Sequence, residues 1–214
     1  MSFFTPGPLR VKICGLTNAA DAEMAINAGA DALGFNFFPG SKRFIPFAEN
    51  RGWIADLAGH VDRVAVVVNA TPDELAELRD SGCFEAVQFH GDETPEACAA
   101  AGFPRWIRAV RVKDADSAAE IDAHATPDIL LDAWSPTAYG GTGSRLSWDL
   151  ARQIIAARPE RRIVLAGGLA HTNVREAVRL VRPHGVDVAG GVELEPGRKD
   201  EYLTREFIQA AKSA

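Results

Sequence analysis

The chain of 214 residues is long enough for one domain with a full core and short for two, and its 47% hydrophobic and 24% charged residues are ordinary for a globular protein. A formal net charge of −6 argues against nucleic acid as a partner, while leaving room for a small anion in a locally positive pocket. Cys14, Cys83 and Cys98 have neither the spacing of a disulfide framework nor that of a zinc site, and MSFFTPGPLR lacks the pattern of a signal peptide. No run is long enough to cross a bilayer, so the expectation is a cytoplasmic protein with reduced thiols and no membrane partner.

Short apolar runs alternate with amphipathic ones along the chain. A first strand is predicted over 9–14 (LRVKIC), then a helix capped by Asn18 and stopped at Gly29. The second strand, 32–36 (ALGFN), leads into the loop PGSKRFI at 39–45. The third, 63–68 (RVAVVV), precedes Thr71-Pro72-Asp73-Glu74, a capping box with proline at the first helical position, in a helix closed by Gly82. The fourth, 85–89 (EAVQF), is followed by a helix from Thr94-Pro95 to Gly102. Beyond the fifth, 106–110 (WIRAV), the helical pattern is weakest, near 116–122. The sixth, 129–132 (ILLD), precedes a glycine-rich loop and a helix capped by Ser147. The seventh, 162–166 (RIVLA), leads to a helix capped by Thr172 or Asn173. The eighth, 186–189 (VDVA), comes before a last helix from about 200 to 212.

Several strands are almost continuously apolar, as parallel strands covered on both faces are. A doubly wound open sheet usually needs fewer than eight strands, whereas a closed barrel takes eight and leaves no edge. The expected fold is therefore α/β, a single (β/α)8 barrel of the TIM type over residues 1–214, with 1–8 as a loose N-terminal extension.

In such a barrel the chemistry lies at the C-terminal strand ends. Two matched motifs, LAGGL at 165–169 and VAGGV at 188–192, end the last two strands. Gly167, Gly168, Gly190 and Gly191 suit a phosphate site, because glycine lets main-chain N–H groups approach an anion; the bland alternative is a pair of tight turns. Gly140-Gly141-Thr142-Gly143 reads as a loop that closes over a substrate or as an exposed turn. Cys14 and Asp132 end the first and sixth strands and suit a base and an acid. A free thiol titrates near about 8.5 and needs a modest downward shift, whereas an aspartate near about 3.9 must be raised, for instance by burial against Trp134. Alone, Cys14 also fits an inert core position and Asp132 a cap or loop ion pair. Arg43 suits a substrate carboxylate, or is a solvated loop cation. Lys12 shares a strand face with Cys14, and a buried lysine implies function. His90 and Asp187 are further candidates for substrate contact. His60, His124, His171 and His184 read as surface or loop residues, Cys83 and Cys98 as packing, and Glu193 and Glu195 as solvated.

Taken in order, VKICGLTN, GFNFFPGSKRFI, VAVVVN, VQFHGDE, ILLD, YGGTGSRLSWD, VLAGGL, GVDVAGGVE and PGRKD resemble the phosphoribosylanthranilate isomerase family of tryptophan biosynthesis, from about Val11 to the last helix. The resemblance implies a cofactor-free, metal-free (β/α)8 barrel. It implies an Amadori rearrangement of a small phosphosugar, N-(5-phosphoribosyl)anthranilate, to 1-(2-carboxyphenylamino)-1-deoxyribulose 5-phosphate. It places the general base on Cys14, the general acid on Asp132 and the anthranilate-carboxylate contact on Arg43. Many relatives carry Ser-Ser where this chain has Ala189 and Gly190, so main-chain rather than hydroxyl contacts to phosphate are implied. No extra apolar helix face is legible, which makes a monomer the default and a homodimer the alternative. The rival readings are a histidine-pathway sugar isomerase, which has aspartate in place of Cys14, a barrel that only binds a phosphosugar, and a metal-dependent epimerase.

Overall fold

A computed structural model describes residues 2–5, 7–114, 116–133 and 146–214. Eight parallel strands close into a barrel: β1 (Arg10–Cys14), β2 (Ala32–Asn36), β3 (Asp62–Val67), β4 (Ala86–Phe89), β5 (Trp106–Val112), β6 (Asp128–Ala133), β7 (Arg162–Leu165) and β8 (Gly185–Val188). The ring is shut by β1 against β8, with Lys12 opposite Asp187. The helices between and after them are α1 (Ala19–Asn27), α2 (Phe47–Asp56), α3 (Pro72–Asp80), α4 (Pro95–Ala100), α5 (Glu120–Ala123), α6 (Trp148–Ala156), α7 (Val174–Val181) and α8 (Glu201–Lys212). A hairpin of β9 (Glu193–Glu195) and β10 (Arg198–Lys199) fills the step from β8 to α8. No described helix is long and apolar enough to cross a membrane.

The expected barrel holds, and most expected caps form. Asn18, Thr94, Ser147 and Asp200 each accept a main-chain N–H of the first helical turn, and Thr71 with Glu74 makes the reciprocal capping box. Asn173 stands at the head of α7 without bonding into it; its side chain folds back onto the preceding loop instead. The weak segment after β5 is a 3-10 turn (Asp116–Ala119) and the single turn of α5.

Strand alternation divides the buried apolar residues into two cores. The larger lies between strands and helices and takes Val11, Ile13, Leu131 and Val186. The smaller lies inside the barrel: Ala32, Val64, Ala86, Ile107, Ala109, Leu130, Val164 and Ala166. Here one expectation is corrected. Phe3 and Phe4 are buried and belong to the inner core, so these residues are not a loose extension. Asp62 holds them by accepting the N–H of Phe3 and the hydroxyl of Ser2, each at 2.6 Å, and Arg105 stacks on Phe4 at 4.6 Å. The aromatic pair satisfies the barrel's need for filling, which the small inner residues leave incomplete.

Candidate active site

The same alternation aims the chemistry inward. Val11 and Ile13 point to the helices, so Lys12 and Cys14 face the interior; Leu131 and Ala133 do the same for Asp132, Phe89 for Gln88 and His90, and Val186 and Val188 for Asp187. Cys14, Asp132 and His90 lie at or just beyond the C-terminal strand ends.

Asp132 is buried and accepts the Ala133 N–H at 2.8 Å through Oδ1. Nε2 of His90 lies 3.3 Å from Oδ2, an ion-pair distance whose angle falls short of a hydrogen bond. On the other side of the ring, Gln88 Nε2 is 3.1 Å from Nδ1; with the amide nitrogen so placed, a neutral imidazole carries its proton on Nε2, toward Asp132. The loop after β4 is rigidly held. Arg108 bonds Glu93 at 2.9 Å and the Gly91 carbonyl at 3.1 Å, and a Cβ at Gly91 would strike Asn69 Oδ1.

Cys14 retains partial exposure. Burial pushes its thiol above the ordinary range; Lys12 and Lys199 oppose that and Asp187 adds to it. The downward shift expected from sequence is therefore not found in the free protein. Lys12 has no exposure and donates to Asp187 Oδ1 at 2.7 Å. Burial alone would lower its pKa, but Asp187 and Cys14 together raise it.

A second charged cluster overturns another expectation. Glu193 is not solvated; its side chain is 3% exposed. Its carboxylate takes a bidentate pair from Arg43, Nε at 2.8 Å and Nη2 at 2.6 Å, and a third bond from Lys199 Nζ at 2.6 Å. Burial pushes the Glu193 carboxyl up, yet Arg43 and Lys199 outweigh it and hold it below its ordinary value. Lys199 also donates to the carbonyls of Cys14 at 2.6 Å and Ala189 at 3.3 Å, tying the end of β1 to the end of β8. Gly15, at φ 77°, lets Arg43 lie across the chain: a Cβ there would overlap Arg43 Cδ.

The glycine pairs meet each other and these clusters. Gly167 (φ 80°) and Gly168 (φ 66°) are left-handed. A Cβ on Gly167 would come within 3.0 Å of Asp132 Oδ1, one on Gly190 within 3.2 Å of Arg43 Nη2, and one on Gly191 would overlap the Leu169 carbonyl. Asn173 shapes the first loop, accepting the Ala170 N–H at 2.9 Å and donating to the Gly168 carbonyl at 3.0 Å. A continuous run of contacts thus leads from Asp132 through both loops to Arg43 and Cys14. Gly141, Gly143 and Trp134 lie outside the described residues. Residues 11–210 match the family described as N-(5'phosphoribosyl)anthranilate (PRA) isomerase. The chain belongs to that family.

Its PRA isomerase relatives align almost end to end. An N-(5'-phosphoribosyl)anthranilate isomerase from Geobacter metallireducens is 48% identical over 96% of this chain and 100% of its own. The crystal structure of phosphoribosyl anthranilate isomerase from Thermotoga maritima matches with a TM-score of 0.86 and 39% identity, covering 96% of this chain and 100% of that one. A third, with a TM-score of 0.83 and 37% identity over 96% of this chain and 100% of its own, was solved with reduced 1-(o-carboxyphenylamino)-1-deoxyribulose 5-phosphate. The family's enzymes are isomerases that interconvert an aldose and a ketose in tryptophan biosynthesis.

Sequence reasoning missed Gln88, Lys199 and Gly34, which stands opposite Cys14 on β2 with no side chain to crowd the sulfur, and misread Glu193. Gly34 carried a signal, since glycine inside a strand marks a close approach. His124 also departs from expectation: it is buried, edge-on to Trp106 with ring centroids 5.9 Å apart.

Proposed function

We propose that this isomerase rearranges N-(5-phosphoribosyl)anthranilate to 1-(2-carboxyphenylamino)-1-deoxyribulose 5-phosphate, with Asp132 as general acid and Cys14 as general base. The reading rests on one observation: a thiol and a carboxyl share the inner face at the C-terminal strand ends, joined by two touching glycine loops. Asp132 protonates the furanose ring oxygen. The C1–O bond breaks as the anilino nitrogen lone pair forms an iminium. That cation acidifies the C2 proton, which the Cys14 thiolate removes, and the electrons fill C1=C2 to give an enolamine. Protonation at C1 and loss of the hydroxyl proton at C2 then yield the ketone. The oxidation level of the molecule is unchanged, so no external electron acceptor takes part.

His90, with its Nε2 3.3 Å from Asp132 Oδ2, is suited to orient the carboxyl, and the proton lost from the C2 hydroxyl is suited to restore the acid. The phosphate is assigned to main-chain N–H groups around 167–168 and 190–191, beside Arg43. Arg43 turns two of its donor positions to Glu193, and its Nη1 remains for the anthranilate carboxylate. Asp187 is assigned to the substrate's ribose side.

Activity is tested by complementation of an auxotroph lacking this isomerase, beside one lacking the histidine-pathway isomerase. Growth of the first alone is expected; growth of the second alone would overturn the assignment. Glu193→Gln is expected to raise KM about tenfold with little change in kcat, by loosening Arg43. It should also cost about 3 kcal/mol of stability, because Lys199 stays buried without its partner. Urea unfolding and steady-state kinetics check both; an unchanged KM would remove Glu193 from the site.

A further inference from the structure

Lys12 is a candidate for function from its strand position, and a side chain with no exposure has no surface to offer a substrate. A sealed ammonium is costly unless its charge is matched. Asp187, opposite Lys12 in the β1–β8 register, supplies one match at 2.7 Å. The second group facing Lys12 is the sulfur two residues along the same strand face. On β2, Gly34 stands opposite Cys14 and presents no side chain. A Cβ there would lie 2.7 Å from Cys14 Sγ and 3.0 Å from Lys12 Nζ. Sulfur and ammonium therefore both border the space that Gly34 leaves open.

We infer that Lys12 is a positioning residue for Cys14: its ammonium, divided between the Asp187 carboxylate and the sulfur, stabilises the thiolate, and Gly34 is the gap through which the two meet. The other charges around the sulfur are already engaged. Lys199 is bound by Glu193 and by the Cys14 and Ala189 carbonyls, and Arg43 by Glu193. Asp187 is then a competitor for the ammonium as well as its anchor, so removal of either partner shifts the thiol in opposite directions. The catalytic consequence rests on Cys14 being the base; the ion pair does not, and it is read on the free enzyme.

The experiment follows alkylation of Cys14 by iodoacetamide against pH, located by peptide mass mapping, together with the ultraviolet absorbance of the thiolate. Cys83 and Cys98 are buried and Cys14 is partly exposed, so the reagent reaches Cys14 first and the peptide map assigns each rate to its own thiol. Lys12→Met is expected to slow alkylation near neutral pH about tenfold and to move the titration midpoint up. Asp187→Asn is expected to speed it and move the midpoint down. Should Lys12→Met fail to fold with Asp187 left alone, Lys12→Met/Asp187→Asn removes both charges together and is expected to titrate above the parent. A midpoint unmoved in Asp187→Asn, or moved the same way by both changes, would overturn the inference. Normal turnover in a Cys14→Ser enzyme, alongside the expected titrations, would overturn the base assignment and leave the ion pair standing.

Discussion

Replacing Cys14 with serine is expected to lower kcat by about a thousandfold while leaving product-analogue affinity near that of the parent. The hydroxyl matches the thiol in shape but is a far weaker acid, so almost none is ionised at the pH where the thiolate works. The loss falls on the step that removes the C2 proton and not on binding, because phosphate and carboxylate are assigned to other groups. Anthranilate-type fluorescence followed under saturating substrate measures it. The parent enzyme should also show kcat/KM rising about tenfold per pH unit on the acid side of the thiol's titration. The sign follows from the protonation states: thiol at low pH is inactive and thiolate at high pH is active. Since burial holds the thiol above its ordinary range, that limb lies at higher pH than a free cysteine would give. Turnover within threefold of the parent in the serine variant would remove Cys14 from the base role.

Asp132→Asn is expected to cost about 10²- to 10⁴-fold in kcat, again with ligand affinity retained. The amide has nearly the carboxyl's shape, and its oxygen can still accept the Ala133 N–H, so the fold is expected to survive. It cannot donate a proton and recover it on each cycle, and the furanose ring then opens without acid assistance. A single-turnover experiment separates this effect from the first, since slow ring opening precedes any loss of the C2 proton. A C2-deuterated substrate should show a primary isotope effect in Cys14→Ser and a reduced one in Asp132→Asn. An equal isotope effect in both would mean that the carboxyl acts at a later step.

The amount legible beforehand differed between the scaffold and the site. Eight apolar strands, the capping box at Thr71 and the two Ala-Gly-Gly turns were readable because each is a local pattern, within one turn of helix or a few strand positions. Period-two alternation put Lys12 and Cys14 on one strand face, and the C-terminal strand ends put Cys14 and Asp132 at the catalytic mouth. The single-turn α5 was faint because it is too short to show a period, and α2 went unread because Pro46 leads into it without a side-chain cap.

Which charges meet was not legible. Arg43 and Glu193 are 150 positions apart, and Lys12 and Asp187 are 175 apart. Nothing in the sequence marks which opposite charge each of them meets. Barrel closure brings the first strand against the eighth and swings the β9–β10 hairpin over their ends, and only then do Glu193 and Lys199 lose their water and acquire partners. Phe3 and Phe4 moved from expected tail to barrel plug by the same route, because the demand for filling arises only once eight strands enclose a space lined by small side chains. The amino-acid sequence alone thus determined the strands, their facing and the family. Tertiary structure decided the electrostatics of the site, because desolvation and long-range pairing exist only in the closed barrel.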